Sequence, residues 1–324
     1  MFQNYFKIAV RNLLHNKSFS IINIAGLSIG MTCCLIIFQY IALESSFDQF
    51  HQKKDNLYRV LQAYARGTDD LGTGEAYTAQ ALTPALIDGV PEIVHITRIH
   101  SDNALVSNPN TPDKVFEEDA ILYAEPAFMK MFTFPMVTSD LDNPLISGTA
   151  LISQSAAQKY FGNARPEGQA LTVVGAVNKT YTVTGVFNDP PTNSHLQFEI
   201  LLPMDDLLKG EEYRSEPEGG WSWNNFSTYI ELHPDANIVA VEQKMTDVYM
   251  KHRGEVIKQQ GARAAMHVQP LRDIHLNSEI GGAADIVAGS YRTVYFFLVI
   301  GLITLVIALV NYVNLATARA LNRS

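Results

Sequence analysis

Cysteine is almost absent from this sequence of 324 residues. The two that occur, Cys33 and Cys34, are adjacent and lie inside an uncharged apolar stretch. Neighbouring residues of a helix point to different faces, so we predict neither a disulfide nor a metal site from them. We interpret both as small residues of a membrane helix. Since the rest of the chain contains no cysteine, its folding needs no disulfide, and cysteine usage gives no information about the compartment.

Acidic residues are absent from both ends of the chain. All 33 Asp and Glu lie between two uncharged stretches, Ser18–Leu43 and Thr293–Ala318, each 26 residues long. At about 1.5 Å per residue, a helix of that length crosses a hydrocarbon core about 30 Å thick. The first stretch is longer than the apolar region of a signal peptide, and no A-x-A-like site precedes Glu44. We therefore predict two membrane spans, and the first is an uncleaved anchor.

The short flanks outside the two spans carry only positive charge. Excess Lys and Arg mark the cytoplasmic ends of spans, so we predict that both termini are cytoplasmic. The segment between the spans then lies on the other side of an inner (plasma) membrane. The charges that set this topology are Lys7, Arg11, Lys17, Arg319 and Arg323.

The segment from Glu44 to Tyr291 is strongly acidic. Six of the 24 Lys and Arg lie outside it, which leaves 18 basic against 33 acidic side chains and a net charge of −15. Nucleic-acid binding needs clustered Lys and Arg, so we predict no nucleic-acid partner. Anionic headgroups would also repel such a domain.

Residues 1–17 alternate basic and apolar positions as an amphipathic helix does, and we predict that this helix lies in the cytoplasmic interface. A simple extension of the first span is the alternative.

Gly26 and Gly30 are small residues four apart, which predicts close packing of another helix. Asn311 and Asn314 in the second span are predicted to face a partner helix rather than lipid, although an ion or substrate path is an alternative.

No catalytic, metal or cofactor motif is found between the spans. The segment between the spans has no H-E-x-x-H, no G-x-S-x-G and no phosphate-binding glycine loop. We interpret His95, His100 and His252 as structural or surface residues. The acidic pairs are interpreted as solvated loop charges rather than cation ligands, and they are Asp69-Asp70, Glu117-Glu118 and Asp205-Asp206. The prediction is a domain that is not an enzyme and binds no cofactor.

Residue patterns between the spans predict a mixture of strands and helices. Gln154–Phe161 is predicted as a helix ended by Gly162, and Thr78–Asp88 as a helix ended by Gly89. Leu196–Leu202 is predicted as a strand, and Lys209–Gly220 as a loop. The β-α-β patterns on both sides of a strand-rich segment predict an α+β domain whose middle part is inserted into the outer one.

Several segments resemble MacB/FtsX-type ABC transporter permeases, in particular the long form found in Bacteroidetes-like bacteria. Their order and spacing match the first span, the external domain and the second span of that family. The segments are Phe6–Leu14, Ile24–Gly30, Phe47-Asp-Gln-Phe-His51, Asn56-Leu-Tyr-Arg-Val60, Leu151–Ser155, Lys159-Tyr-Phe-Gly162, Tyr181–Val186, Pro191-Thr-Asn-Ser-His195, Pro270–Leu276 and Asn311–Arg319.

The resemblance implies a periplasmic core domain with a ferredoxin-like porter part and an inserted β-rich part. It assigns residues 44–140 and 220–291 to the porter part and 141–219 to the insert, between spans 18–43 and 292–318 and followed by a cytoplasmic end, 319–324. It also implies mechanotransmission, in which ATP hydrolysis by a separate ABC ATPase moves the external domain for export or extraction of a substrate. The implied partners are that ATPase, a second permease copy or half that pairs through the face of Gly26 and Gly30, and a periplasmic adaptor or outer-membrane protein.

Permeases of this family continue after the second span into a basic coupling segment and two further spans, whereas this chain stops at Ser324. We therefore expect it to be a fragment of a longer permease. Two other interpretations remain open at this point. A two-span sensor with an external ligand-binding domain has the same topology. A membrane-anchored hydrolase is disfavoured because no nucleophile and base can be named.

Overall fold

The computed structural model describes residues 11, 17–139, 145–215, 220–277, 280 and 287–321, without the side chains of 18–20, 23 and 314–321. Lys7 and Arg323 lie outside these residues, as does most of the predicted amphipathic helix. The chain divides into two compact units. One contains the two long apolar helices, up to Ser46 and from Ser290, and the other is the globular unit Phe47–Gly289.

The described residues form nine helices and eleven strands. The helices are α1 (Lys17–Glu44), α2 (Leu82–Gly89), α3 (Phe128–Met131), α4 (Gln154–Phe161), α5 (Met204–Leu208), α6 (Glu211–Arg214), α7 (Ile238–Gln259), α8 (Leu271–Ile274) and α9 (Tyr291–Leu321). The strands are β1 (Leu57–Arg66), β2 (Tyr77–Ala79), β3 (Ile93–Ser107), β4 (Val115–Ala124), β5 (Met136–Ser139), β6 (Thr149–Ser153), β7 (Ala170–Val174), β8 (Lys179–Phe187), β9 (Ile200–Pro203), β10 (Asn224–Leu232) and β11 (Ala262–Pro270).

Two helices are long and apolar enough to cross a membrane. The candidate spans are Ile24–Glu44 in α1, with 21 residues, and Tyr291–Val313 in α9, with 23 residues. Most of their large apolar side chains are exposed, including Ile29, Phe38 and Val306. Exposed apolar surface of this extent is typical of helices surrounded by lipid.

Four strands of the globular unit have the ferredoxin-like order. The sequence runs β1-α2-β3 and then, much later, β10-α7-β11, and the strands lie side by side as β11-β1-β10-β3, all antiparallel. If β1, β3, β10 and β11 are numbered 1 to 4 in chain order, their order across the sheet is 4-1-3-2, as in the split β-α-β arrangement. Helices α2 and α7 cover one face, where Leu86, Val241 and Met245 are fully buried.

The chain between β3 and β10 extends the same sheet. Its strands continue the order as β4-β9-β6-β8-β5, with β4–β9 and β6–β8 parallel. Alternate residues of β4, β6 and β9 enter two different cores: Ile152 packs in one and Leu151 in the other. Because both faces of these strands are buried, they read as continuous apolar runs rather than as alternating patterns.

Several boundaries predicted from the sequence need correction. Helix α4 has the predicted bounds, because Ser153 accepts a hydrogen bond from the Ala156 amide and Gly162 ends the helix. The helix predicted at Thr78–Asp88 begins only at Leu82, because β2 pairs with β10. The predicted strand Leu196–Leu202 is formed only from Ile200, and the predicted loop Lys209–Gly220 contains α6.

The structure confirms the predicted fold class. It is a mixed α and β chain with two long apolar helices flanking a globular domain, which combines a ferredoxin-like part and a β-rich part.

Candidate functional site

Small residues bring the two long helices of the first unit close together. A β-carbon at Gly30 would lie 3.2 Å from the Ala308 β-carbon, and one at Gly26 would lie 3.3 Å from Asn311 Nδ2. On the other helix, a β-carbon at Gly301 would lie 3.2 Å from Ile37. Helices approach this closely where small side chains let their backbones come together.

The Gly26 and Gly30 side of α1 is therefore occupied by the chain's own second helix. The sequence suggested that a second copy or half could pack on this side, and α9 of the same chain lies there instead. Asn311 lies in this seam beside Gly26. The side chain of Asn314 is outside the described residues, so its packing role remains a prediction.

The two cysteines occupy different surfaces of α1. Cys33 is exposed, whereas Cys34 is buried and its thiol lies 3.6 Å from the Gly301 carbonyl oxygen as a weak donor. Further along the seam, Tyr40 and Phe297 meet edge to face at 5.1 Å between ring centroids. Both cysteines thus lie in a long apolar helix, and of the two only Cys34 lies in the seam with α9.

Of the charges assigned to the cytoplasmic flanks, the structure describes the side chains of Arg11 and Lys17, and both are exposed. Arg319 belongs to α9, but its side chain is outside the described part of the chain, as are Lys7 and Arg323. Their role in orienting the chain therefore stays a prediction.

A buried polar cluster lies where the chain enters the globular unit, directly after α1. Asp48 is 1% exposed and has a positive φ of 59°, which is uncommon for a residue other than glycine. Its amide donates to the Asn193 carbonyl oxygen at 2.9 Å. Its carboxylate Oδ1 accepts the His195 amide at 3.1 Å and lies 2.8 Å from His195 Nδ1. The first residues of the unit are thus fixed to the loop that precedes β9.

His51 completes this part of the cluster from one turn further on. Its Nδ1 accepts the Thr133 amide at 2.9 Å, so the proton of the neutral ring is on Nε2, which lies 3.7 Å from Asp48 Oδ1. Burial lowers the pKa of His51 to about 4, which outweighs the opposing effect of the Asp48 carboxylate. The pKa of Asp48 is below its ordinary value: burial alone would raise it, but His195 and His51 together more than compensate.

The segment by which the chain leaves the globular unit meets the same cluster. The Phe47 ring stacks on His275, with 3.3 Å between centroids and 3° between planes. His275 Nδ1 donates to the Val287 carbonyl oxygen at 2.8 Å, and the Gly289 amide donates to the His275 carbonyl oxygen at 2.7 Å. The Val287 amide in turn donates to the His195 carbonyl oxygen at 3.1 Å.

These contacts form a closed circuit of five residues. The path runs from Phe47 to its neighbour Asp48, then to His195, Val287 and His275, and back to Phe47. We call these residues together with His51 the junction cluster. The circuit joins the point where the chain enters the globular unit to the point where it leaves, through one loop of the inserted segment.

A buried hydrogen-bond chain links the junction cluster to the sheet. His195 Nε2 lies 3.0 Å from the Tyr229 hydroxyl on β10, and Tyr229 also bonds to Arg59 on β1. Arg59 is fully buried and donates to Gln269 Oε1 on β11 at 2.7 Å. Burial lowers the pKa of Arg59, and Tyr229 opposes that effect. The cluster is thereby tied to three adjacent strands of the ferredoxin-like part.

This arrangement is suited to holding segments together rather than to chemistry on a substrate. His51, His195 and His275 are each at most 2% exposed, so no solute reaches their rings without local opening. Within the described residues, no group of three His, Cys, Asp or Glu side chains is arranged to hold a metal ion. The hydrogen bonds from the His195 amide to Asp48 and from the Thr133 amide to His51 each tie one chain segment to another.

No role was predicted from the sequence for the residues of the junction cluster. Asp48, Arg59, His195 and His275 all belong to the segments that carry the family resemblance. The available signal was that four separate resembling segments each contained at least one polar residue that the fold buries. Periodicity gave no help, because several of these residues lie in turns and loops.

Two acidic residues interpreted as solvated are in fact buried, which corrects the sequence analysis. Asp206 is 4% exposed and accepts hydrogen bonds from Ser147, the Gly148 amide and Lys179, which lower its pKa against the effect of burial. Glu118 is 5% exposed and is bonded to Lys159 and to the Tyr160 hydroxyl. His95 and His100 are partly buried and hydrogen-bonded, as expected for structural residues.

Comparison with known proteins places the globular unit in one family. Residues 20–248 match the family described as MacB-like periplasmic core domain. A comparison with curated proteins gives no match. Among solved structures, a domain assigned to a permease protein from Porphyromonas gingivalis is similar with a TM-score of 0.54 at 23% identity, over 68% of this chain and 91% of that one. This likeness supports the fold.

Two further solved structures are similar at lower scores. The extracellular domain of the noncanonic ABC-type transporter YknZ from Gram-positive bacteria has a TM-score of 0.45 at 15% identity, over 66% of this chain and 100% of that one. The periplasmic region of MacB from Actinobacillus actinomycetemcomitans has a TM-score of 0.44 at 14% identity, over 68% of this chain and 90% of that one.

The family match covers well over half of the chain and confirms the resemblance seen in the sequence. Two candidate spans flanking a periplasmic-type domain fit an inner-membrane protein. The chain therefore belongs to the family of MacB-like periplasmic core domains, and it is a protein of the MacB/FtsX-type ABC transporter permease class.

Proposed function

We propose that this chain is the permease part that couples ATP hydrolysis by a separate ABC ATPase to movement of its periplasmic domain. The movement would serve export or extraction of a substrate across the cell envelope. The junction cluster is the observation that carries this proposal, because it joins both chain ends of the domain in one closed circuit of contacts.

In mechanical coupling, displacement of a membrane helix must move the domain. A flexible linker between helix and domain would absorb that displacement. The segment between α1 and β1 contains neither glycine nor proline from Glu44 to Asn56. Its first residues are held by the stack of Phe47 on His275 and by the Asp48–His195 pair, both of them buried. A displacement that arrives through either covalent connection is therefore delivered to the same group of residues.

The orientation follows from charge in this proposal. Exposed Arg11 and Lys17, together with Lys7, Arg319 and Arg323, keep both termini in the cytoplasm. The acidic segment Glu44–Tyr291 lies in the periplasm, with residues 44–140 and 220–291 as the porter part and 141–219 as the insert. The ferredoxin-like strand order supports this division.

The partners in this proposal are an ABC ATPase in a separate chain and a second permease copy or half in the membrane. A periplasmic adaptor or an outer-membrane partner would receive the substrate. Since α9 covers the Gly30 side of α1, we propose that a second permease uses another side of the helix pair.

The proposal is tested by measuring nucleotide-dependent movement. The chain, with Cys33 and Cys34 replaced by serine and a spin label at exposed Val239, is placed in nanodiscs with the ATPase that co-purifies from membranes. The expected result is a label-to-label distance between two copies that changes on addition of ATP. A variant ATPase that binds ATP without hydrolysing it is the control for turnover. Distances that stay the same through ATP turnover would refute the coupling.

The co-purified partner also separates this function from the sensor interpretation. If the chain is a permease, a nucleotide-binding ATPase is expected to co-purify with it. A histidine kinase or another signalling module in its place would contradict the permease proposal.

A further inference from the structure

A polar cavity lies within the porter part, away from the junction cluster. Its volume is about 560 Å³, which is within the range of small-molecule sites. It is bounded by β1, by the loop residues 71–75, by residues 221–224 and by α7. We call it the porter cavity.

Aromatic rings line the porter cavity from three different elements. They are Tyr64 on β1, Trp221 before β10 and Tyr249 on α7. Two of these rings are held from one side by a neighbour: Arg66 lies 5.9 Å above Tyr64, and His252 stacks on Trp221 at 4.7 Å. Rings fixed in this way offer a firm apolar surface at little cost in side-chain entropy.

Planar polar groups alternate with the rings along the same walls. Gln62, Asn224 and Gln260 contribute amides, Glu75 contributes a carboxylate, and Arg253 contributes a guanidinium that is hydrogen-bonded to Tyr249. These side chains can each donate or accept two hydrogen bonds in one plane.

Gln62 provides an independent sign that the cavity is a binding site. It is 9% exposed, it lines the cavity, and its Oε1 has no hydrogen-bond partner among the described residues. Its backbone is fixed by two hydrogen bonds of 2.9 Å with Glu75, one in each direction. A buried acceptor without a donor costs free energy of folding. A ligand that donates a hydrogen bond to this oxygen explains why the unpaired group is kept.

We propose that the porter cavity binds an uncharged disaccharide. Sugar rings present C–H faces that pack on aromatic rings, and their paired hydroxyls match planar amide, carboxylate and guanidinium groups. An aliphatic drug or an aliphatic peptide side chain would find little aliphatic surface to pack on in this cavity. The aliphatic side chains among the described lining residues are only those of Leu71 and Ile257.

The test uses Trp221 as the reporter of binding. The chain contains two tryptophans, so Trp223→Phe leaves Trp221 alone. The full chain is studied in nanodiscs, because common detergents with sugar headgroups would compete for the site. Cellobiose, maltose and N,N′-diacetylchitobiose are titrated up to about 20 mM, with calorimetry on the unmodified chain as the second measurement. Saturable binding of at least one disaccharide is expected.

The matched variants are Gln62→Met and Gln158→Met. Gln62→Met removes an unpartnered acceptor, so the stability to urea should be kept or increased, while the Kd should rise at least about tenfold. Gln158→Met makes the same change at an exposed position outside the porter cavity and should leave the Kd unchanged. Absence of saturable binding by all three disaccharides would overturn the proposal. Binding that survives Gln62→Met, or binding of a glycyl-tyrosine dipeptide but of no sugar, would overturn it as well.

Discussion

His51 gives the globular unit a defined sensitivity to acid. Its folded-state pKa of about 4 is below the ordinary 6.5, so the unfolded chain binds the additional proton between these two values. Stability is therefore complete above pH 6.5 and is lost as the pH falls toward 4. The pKa difference corresponds to about 3 kcal/mol, of which about 2–3 kcal/mol should be lost by pH 4.5. The structural reason is the burial of the ring, which disfavours its charged form, and protonation of Nδ1 also removes the acceptor of the Thr133 amide.

His51→Asn isolates this effect. The asparagine carbonyl can take the place of Nδ1 as acceptor for the Thr133 amide, but it does not titrate. The other titrating groups are present in both proteins, so their contributions cancel when the two pH dependences are subtracted. The lowered pKa of Asp48 matters only below its ordinary 3.8, because a carboxyl with a depressed pKa loses its stabilising charge on further acidification.

The assay is urea unfolding of the full chain in micelles at pH 7 and pH 4.5. Tryptophan fluorescence reports on the globular unit alone, since Trp221 and Trp223 are the two tryptophans and both lie in it. The unmodified chain should lose about 2–3 kcal/mol more than His51→Asn between these pH values. Exposed His233→Asn is the control and should behave as the unmodified chain. Equal losses in the unmodified chain and His51→Asn would refute the reasoning.

Two further substitutions test packing, one within each of the two units. Lys179→Met leaves the buried Asp206 carboxylate without its cation and should lower the free energy of unfolding in urea by about 1–3 kcal/mol. Lys209→Met, at the exposed pair with Asp205, is the control and should lower it by less than about 1 kcal/mol. Equal losses in the two variants would contradict the assigned burial. Gly30→Leu forces a side chain into the seam between α1 and α9 and should lower helix stability in dodecyl sulfate titrations by about 1–3 kcal/mol, while Ile29→Leu on the exposed side should have little effect. No difference between these two variants would show that the seam is not formed.

Local patterns in the sequence predicted the elements whose signals are local. Helix α4 was predicted with its bounds because Gly162 stops it, and the structure adds Ser153 as its N-terminal cap. The two spans were evident from uncharged length, and β-α-β patterns predicted an α+β domain with an inserted middle part, while the family resemblance implied the ferredoxin-like part. Where pairing overrides propensity, the prediction failed, as when β2 pairs with β10 and delays the start of α2.

The candidate site was beyond sequence reasoning because its members are far apart in the chain. Asp48 and His195 are separated by 147 positions, and His275 approaches Phe47 only in the folded unit. Likewise, the burial of Asp206 depends on Ser147 and Lys179, which belong to other elements. A pattern of charges along the chain shows an acidic pair but does not show which neighbour covers it. The family resemblance supplied the relevant residues, and only the fold supplied their contacts.

The most direct test of mechanical coupling combines the nucleotide-dependent distance measurement with Asp48→Asn. This substitution keeps the side-chain size but removes the charge that faces His195 at 2.8 Å, so it weakens the junction cluster at one point. The account predicts that ATP hydrolysis by the partner continues while the ATP-dependent distance change at Val239 is strongly reduced. An unchanged distance response in Asp48→Asn, with the domain folded and ATP hydrolysed, would contradict the role assigned to the junction cluster.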